Sequence, residues 1–276
     1  MKFDLSLSPF DTSVATLVTA ARLAETQGFD GVWTYDHVSG IAGDADSVHD
    51  PWVVLSAIAA GTERIGLGPL VLNATFRHPA HIAVAAASLQ ELSGGRLTLG
   101  MGAGAGDDRF GRELAMVGLP LRSAAERRAR TEEAIRFVRA AWRGQQLLPG
   151  HPLTESRGFL RPRPEPRIIV GANGPKMAAL AGRAADGVNF HWFEDDLENL
   201  AGIARRAADD DRFEITVEAP LVPEWLTGVG RRRVEMLGAS RIMYQWNHPL
   251  GLDAIREAGD RLRQAPELSP DPTANE

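Results

Sequence analysis

The chain contains no cysteine, which excludes disulfides and thiolate metal ligation outright. Lysine is almost as scarce: only Lys2 and Lys176 occur, and arginine carries the rest of the cationic charge. No apolar run reaches the ~18–20 residues that a membrane-spanning helix needs. The opening residues, Met1-Lys2-Phe3-Asp4-Leu5, enter an alternating pattern at once and lack the apolar stretch of a signal peptide. A basic stripe is missing too, because acidic residues lie among the arginines and the formal net charge is −6. A phosphate-backbone partner is therefore not expected. These absences set the expectation of a cytoplasmic protein with neither nucleic acid nor membrane as partner.

What is present is a chain of 276 residues, 44% of them hydrophobic, long enough for a sizeable core. Short β-rich runs alternate with amphipathic helical windows. The first strand is expected at Phe3–Leu7, followed by a helix with Val14, Leu17, Ala21 and Ala24 on one face and Gly28 as its stop. Further strands are expected at 31–35, 64–72, 96–101, 167–170, 187–191, 213–217 and 241–246. Helices are expected from Pro51 to Ala60, after Pro79, from Ala124 to Trp142, up to Arg183, from Asp195 to Ala208, from Arg231 to Leu237 and from Leu252 to Arg263. Eight strand–helix units imply a parallel sheet, and their number fits a closed (β/α)8 TIM barrel. An open doubly wound sheet is the rival. It lacks support because no G-x-G-x-x-G follows the first strand. One domain over residues 1–263 is expected, with 264–276 as a tail that has no apolar pattern.

Three segments carry a resemblance: Gly28 to His37, Leu67 to Pro79, and Leu92 to Gly104, the last being the most specific. A weaker one is Val170-Gly171-Ala172-Asn173-Gly174-Pro175-Lys176. Together they resemble the bacterial luciferase-like superfamily, and within it the deazaflavin (coenzyme F420)-dependent oxidoreductases. The resemblance implies a TIM barrel with the redox ring at its top, a small-molecule substrate and a homodimeric assembly. The bottom-up reading agrees on the location. Asp36-His37, Asn73, the Gly102–Gly106 loop, Asn173-Gly174 and His191 all follow strands, where barrel active sites gather.

In the family pattern Asp36 meets the cofactor and His37 donates a hydrogen bond or proton as hydride moves. An imidazole titrating near neutrality suits that role. The plain alternative is a loop histidine that caps backbone groups. In many relatives the position of Leu70-Val71 carries a non-proline cis peptide that backs the ring; otherwise it is a buried strand. Glycines at Gly102 and Gly104, flanking Ala103, let the backbone approach a ligand closely. Ala172, Asn173, Gly174 and Lys176 surround a turn that opens a helix with Pro175 at its start. Free N–H groups there can bind a phosphate, and Lys176 can assist as a point charge. The alternative is an ordinary cap with a surface lysine.

His78 and His81 bracket a helix start without a third ligand at metal spacing, so ordinary capping or packing is expected and no metal site. His191, Trp192, Trp225 and Trp246 follow strands and either line a substrate pocket or pack in the core. Sugar-phosphate dehydrogenases of the family carry a glutamate where this chain has Ala105 and a tryptophan where it has Ile41. Those departures argue against glucose-6-phosphate as substrate. The resulting expectation is an F420-dependent oxidoreductase moving a hydride to or from an unknown small organic substrate. An FMN-dependent monooxygenase and a non-catalytic flavin- or deazaflavin-binding protein are the alternatives.

Overall fold

The computed structural model describes residues 1–106, 108–146, 156–194 and 196–264. Its strands are β1 (Lys2–Leu7), β2 (Gly31–Thr34), β3 (Gly66–Pro69), β4 (Leu72–Asn73), β5 (Thr98–Gly102), β6 (Arg167–Gly171), β7 (Gly187–His191), β8 (Glu214–Pro220) and β9 (Arg241–Trp246). The helices are α1 (Val14–Gln27), α2 (Pro51–Gly61), α3 (Pro79–Leu92), α4 (Asp108–Met116), α5 (Ala124–Arg143), α6 (Pro175–Ala184), α7 (Leu197–Ala207), α8 (Pro223–Leu226), α9 (Val229–Met236) and α10 (Asp253–Gln264).

All strand pairings are parallel, in the order β3-β2-β1-β9-β8-β7-β6-β5-β4. The two ends of that order are halves of the single strand expected at 64–72. It is interrupted at Leu70-Val71, whose peptide bond is cis. A parallel bridge between Leu67 and Leu97 joins β3 to the approach of β5, so the sheet returns on itself as a barrel. The count of eight is thus kept as eight staves, one of them split in two.

Alternation along each stave sorts its side chains between two environments. On β9, Ile242, Tyr244 and Trp246 point outward and are fully covered by the helices. Arg241, Met243 and Gln245 point into the barrel. Its interior holds Asp4, which accepts a hydrogen bond from Trp33 Nε1 at 2.6 Å and pairs with Arg241. Above them Trp33, Leu70, Ile169 and Met243 pack into an apolar floor. Burial raises the Asp4 carboxyl above its ordinary range, while Arg241 and Trp33 pull it back.

The helices start and stop for local reasons. Ser13 caps α1 by accepting from Thr16 N, and Gly28 ends it at φ 88°, a backbone state open to glycine. Asp50 caps α2 and His78 caps α3, each just before a proline, so His78 is the capping residue expected. The α4 segment was not expected from the sequence, and α7 begins two residues later than 195, a residue outside the described set. Beyond Gln264 the expected tail also lies outside the described residues. Among the described residues, no helix is long and apolar enough to cross a membrane.

Candidate active site

The C-terminal ends of β2, β4, β5, β6, β7, β8 and β9 surround one cavity of about 850 Å³. This is within the usual size of small-molecule pockets, ~300–1,000 Å³. Of the residues expected to form the site, Asp36, His37, Leu70, Val71, Asn73, Gly102, Ala103, Gly104, Asn173, Gly174 and Lys176 all line it. Ala172 does not. Its methyl is fully buried, and its N–H is spent on Asn189 O at 2.9 Å, because alternation along the strand turns it away from the interior.

Asp36 is a structural anchor at the cavity wall. Its Oδ2 accepts from Asn73 N at 2.9 Å and from Arg77 Nε at 2.8 Å, and its Oδ1 accepts from Arg77 Nη2 at 2.6 Å. Arg77 also donates to Asp50 at 2.7 Å, which ties this wall to the cap of α2. Burial pushes the Asp36 carboxyl up, and the guanidinium opposes that rise. Asn73 in turn holds Thr75 through its Oδ1, at 2.9 Å to the backbone N and 2.6 Å to Oγ1.

His37 stands between the rings of Phe10 and Phe110, with centroids 5.2 and 5.3 Å away. Its Nδ1 meets Glu113 Oε2 at 3.1 Å, and Glu113 Oε1 accepts from Val38 N at 2.7 Å and Ser39 N at 3.2 Å. Glu113 is almost completely buried. Burial alone would raise its pKa, but the His37 contact and the two backbone donors outweigh it and hold the carboxyl below its ordinary range. With Nδ1 engaged, Nε2 is the ring nitrogen left for the cavity.

Glycine matters at two places. A Cβ on Gly102 would meet Val71 Cγ2 at 2.4 Å, so the cis Leu70-Val71 segment packs directly on this backbone. Gly104 has φ 65°, and a Cβ there would strike Asn73 Nδ2 at 2.5 Å. At the mouth, Gly174 begins α6 with no side-chain cap and with open space where its Cβ would stand. Exposed Lys176 lies in the first turn. Arg127 and Arg128 of α5 also line the cavity, and Arg127 Nε is buried without a hydrogen-bond partner.

His191, singled out in the sequence as a pocket-lining candidate, does line the cavity, but the two residues grouped with it there, Tyr35 and Glu218, were missed. Tyr35 OH donates to Glu218 Oε1 at 2.7 Å, and His191 Nδ1 lies 3.0 Å from Glu218 Oε2, off the direction of a straight hydrogen bond. Burial first and Glu218 second push the Tyr35 phenol well above its ordinary range. A signal was available: Glu218 alternates with Val217 and Ala219, so a carboxylate occupies an inward position of a barrel strand. The tryptophans go elsewhere. Trp246 is a core residue, and Trp192 packs edge-on against Trp225 at 5.7 Å.

Residues 2–224 match the family described as luciferase-like monooxygenase. Over 177 residues the chain is 36% identical to the F420-dependent glucose-6-phosphate dehydrogenase of Amycolatopsis mediterranei, covering 62% of this chain and 51% of that one. It thus spans about half the length of that relative. The 5,10-methylenetetrahydromethanopterin reductase of Archaeoglobus fulgidus is 29% identical over 285 residues, 96% of this chain and 79% of its own length. The fold is shared with an F420-dependent secondary alcohol dehydrogenase solved with an F420-acetone adduct. The TM-score is 0.77 at 20% identity, over 95% of this chain and 99% of that one.

Proposed function

Because the chain belongs to the luciferase-like monooxygenase family, we propose that it is an F420-dependent oxidoreductase acting on a small organic molecule. The observation that carries this reading is the cavity itself, with an apolar shelf at Leu70-Val71, a carboxylate-oriented histidine, and the cationic side chains of Arg127, Arg128 and Lys176 in its lining. Relatives whose names state F420 dependence support the choice of cofactor.

The residues present fit such a group. Leu70, Val71 and the bare backbone of Gly102 to Gly104 offer a flat apolar surface for a tricyclic ring. The unsatisfied Nε of Arg127, with Lys176 and the uncapped first turn of α6, suits an anionic tail. When bound, the deazaflavin supplies or accepts a hydride. The chain's part is to hold the ring, exclude water from its face and place a hydrogen-bond donor beside it. His37 does the last, with Glu113 fixing the ring orientation. Ala105 lines the cavity where sugar-phosphate dehydrogenases carry a glutamate, so the substrate is read as something other than glucose-6-phosphate.

The reading takes residues 1–263 as one domain, working in the cytoplasm as a homodimer. Equilibrium titration of the purified apoprotein with F420 and with FMN at matched salt tests it. Tighter binding of F420 is expected. Tight FMN binding with negligible F420 affinity would overturn the choice and favour a flavin monooxygenase.

A further inference from the structure

Three buried carboxylates stand at or beside the cavity, and one is held unlike the other two. Asp36 engages both of its oxygens, on Arg77 and on the Asn73 N–H. Glu113 engages both as well, on His37 and on two backbone donors. Glu218 is 1% exposed and lines the cavity from β8, yet only its Oε1 accepts a hydrogen bond, from Tyr35 OH at 2.7 Å. Among the described residues, no arginine or lysine pairs with it.

His191 is the neighbour that could serve, because β7 and β8 set the two residues side by side in register. Its Nδ1 comes within 3.0 Å of Oε2, but off the direction of a hydrogen bond, and that nitrogen has no partner. The imidazole stacks instead on Phe193, with centroids 5.0 Å apart and planes 6° from parallel. Among the described residues, then, Oε2 is a carboxylate acceptor without a donor at the cavity wall. Leaving a buried charge in that condition is costly, and a bound cationic donor relieves it.

The position of Glu218 suits the substrate rather than the cofactor's tail. Tyr35 packs on the same apolar cluster as Val71, and its hydroxyl reaches Glu218. The carboxylate is therefore one side chain away from the shelf given to the ring. Arg127 and Arg128 of α5 and Lys176 of α6 line a different side, around β5 and β6. The cavity is thus cationic toward α5 and α6 and anionic at β8, so an anionic tail is drawn to the first side and repelled from the second. Asn189, also in the lining, directs its amide nitrogen to Thr216 Oγ1 at 2.9 Å, which leaves its carbonyl oxygen as a further acceptor.

We propose that the substrate carries a protonated nitrogen, a primary or secondary ammonium, and that Glu218 selects it by accepting a charged hydrogen bond at Oε2, with Tyr35 as the positioning residue that fixes the carboxylate. As a statement about the substrate, this rests on the F420 reading above. A neutral donor would satisfy the acceptor but leave its charge unbalanced, and an anion would be repelled. An ammonium supplies both the donor and the countercharge, and such charge-assisted bonds are roughly twice as strong as neutral ones. His191 competes when protonated: burial opposes that charge, but Glu218, helped by Glu194, favours it and raises the imidazole above its ordinary 6.5.

The test uses three probes of one shape, benzylammonium, benzyl alcohol and benzoate, titrated by calorimetry into the F420-loaded full chain near neutral pH at matched low salt. Benzylammonium should bind about tenfold more tightly than benzyl alcohol, with benzoate the weakest of the three. Glu218→Gln retains an acceptor for Tyr35 and should remove most of that preference. His191→Gln should keep it, because the carboxylate remains and its competitor is gone. Equal binding of ammonium and alcohol, no binding of the ammonium, or an undiminished preference in Glu218→Gln would overturn the assignment. Repeating the titrations on the apoprotein separates this proposal from the reading beneath it. An ammonium preference there, in a protein that fails to bind F420, would overturn the preceding reading and keep Glu218 as a cation site. F420 bound normally with no ammonium preference would overturn this assignment alone.

Discussion

His37 and Glu113 stand 76 residues apart in the chain, yet their side chains meet at 3.1 Å on the cavity wall. Glu113 comes from α4, whose only buried residues are Glu113 and Leu114. The helix is held against the site by a carboxylate that simultaneously satisfies one ring nitrogen and two backbone N–H groups of the loop after β2. The loop's shape and the orientation of His37 therefore depend on one acid.

Replacing Glu113 with Gln should loosen both. Loss of a charged acceptor from buried donors costs about 1–3 kcal/mol, to be read from the denaturant midpoint. The pH dependence has a definite sign. A carboxyl with a lowered folded pKa stabilises the protein above its unfolded value near 4.5, and that contribution is lost as pH falls through the lower folded value. The wild-type advantage over Glu113→Gln should therefore shrink on acidification below about pH 4.5. An advantage independent of pH down to unfolding would mean that the pair is not ionic.

His37→Ala should fold and bind F420 but turn over about 10²–10⁴-fold more slowly. Glu113→Gln should reproduce part of that loss, because the ring remains but loses its orientation. Full turnover in His37→Ala would reduce His37 to a loop residue packed between Phe10 and Phe110.

Removing the other carboxylate's partner tests the opposite pH trend. Arg77→Met leaves Asp36 buried with only the Asn73 N–H, and breaking a buried pair in this way costs about 3–5 kcal/mol. Asp36 already has a raised pKa, so its ionisation opposes folding as pH rises from 3.8 toward its folded value. Without Arg77 the folded value climbs further. The destabilisation of Arg77→Met should grow with rising pH above the wild-type folded value, up to the higher value reached without Arg77, as measured by thermal unfolding across a pH series.

The barrel was legible because alternation and helical periodicity are local signals, carried within each segment. So were the loops after the strands, which is why eleven of the twelve expected site residues line one cavity; Ala172 alone is turned away. The interruption at Leu70-Val71 was expected only through resemblance, since nothing in those two side chains marks it. What stayed hidden was pairing at long range. Tyr35 and Glu218 are 183 residues apart, and a strand expected to end at Val217 stopped one residue short of the carboxylate. The α4 segment, Asp-Arg-Phe-Gly-Arg-Glu-Leu-Ala-Met, has too few apolar positions to announce that its glutamate is buried.

Two glycines at the site should respond differently to the same change. Gly174→Val enters open space at an extended φ of 168°, so thermal stability should stay near wild type while F420 affinity falls. Gly102→Val would drive a side chain into Val71 Cγ2, whose Cβ approach is already 2.4 Å, so stability and affinity should fall together. Parallel measurement of melting temperature and F420 dissociation constant separates the two. Unchanged affinity in Gly174→Val would remove the α6 turn from the site.

The cations at the mouth give the last test, because they act by two different physical routes. Lys176 is exposed, so its attraction to an anionic tail is weakened by water and by salt, with a Debye length of about 10 Å at 0.1 M. Its removal in Lys176→Ala should cost about 0.2–1 kcal/mol, or roughly 1.4- to fivefold in affinity. Arg127 differs: its Nε is buried and unpartnered, and a hydrogen bond from it to a charged oxygen is worth about 1.5–3 kcal/mol. Arg127→Met should therefore weaken F420 binding by about tenfold or more. Salt separates the routes. Raising ionic strength should weaken wild-type binding, erase most of the difference between wild type and Lys176→Ala, and leave most of the Arg127→Met deficit in place. If both deficits vanished together in salt, Arg127 would be acting as a distant charge and not as a donor to the tail.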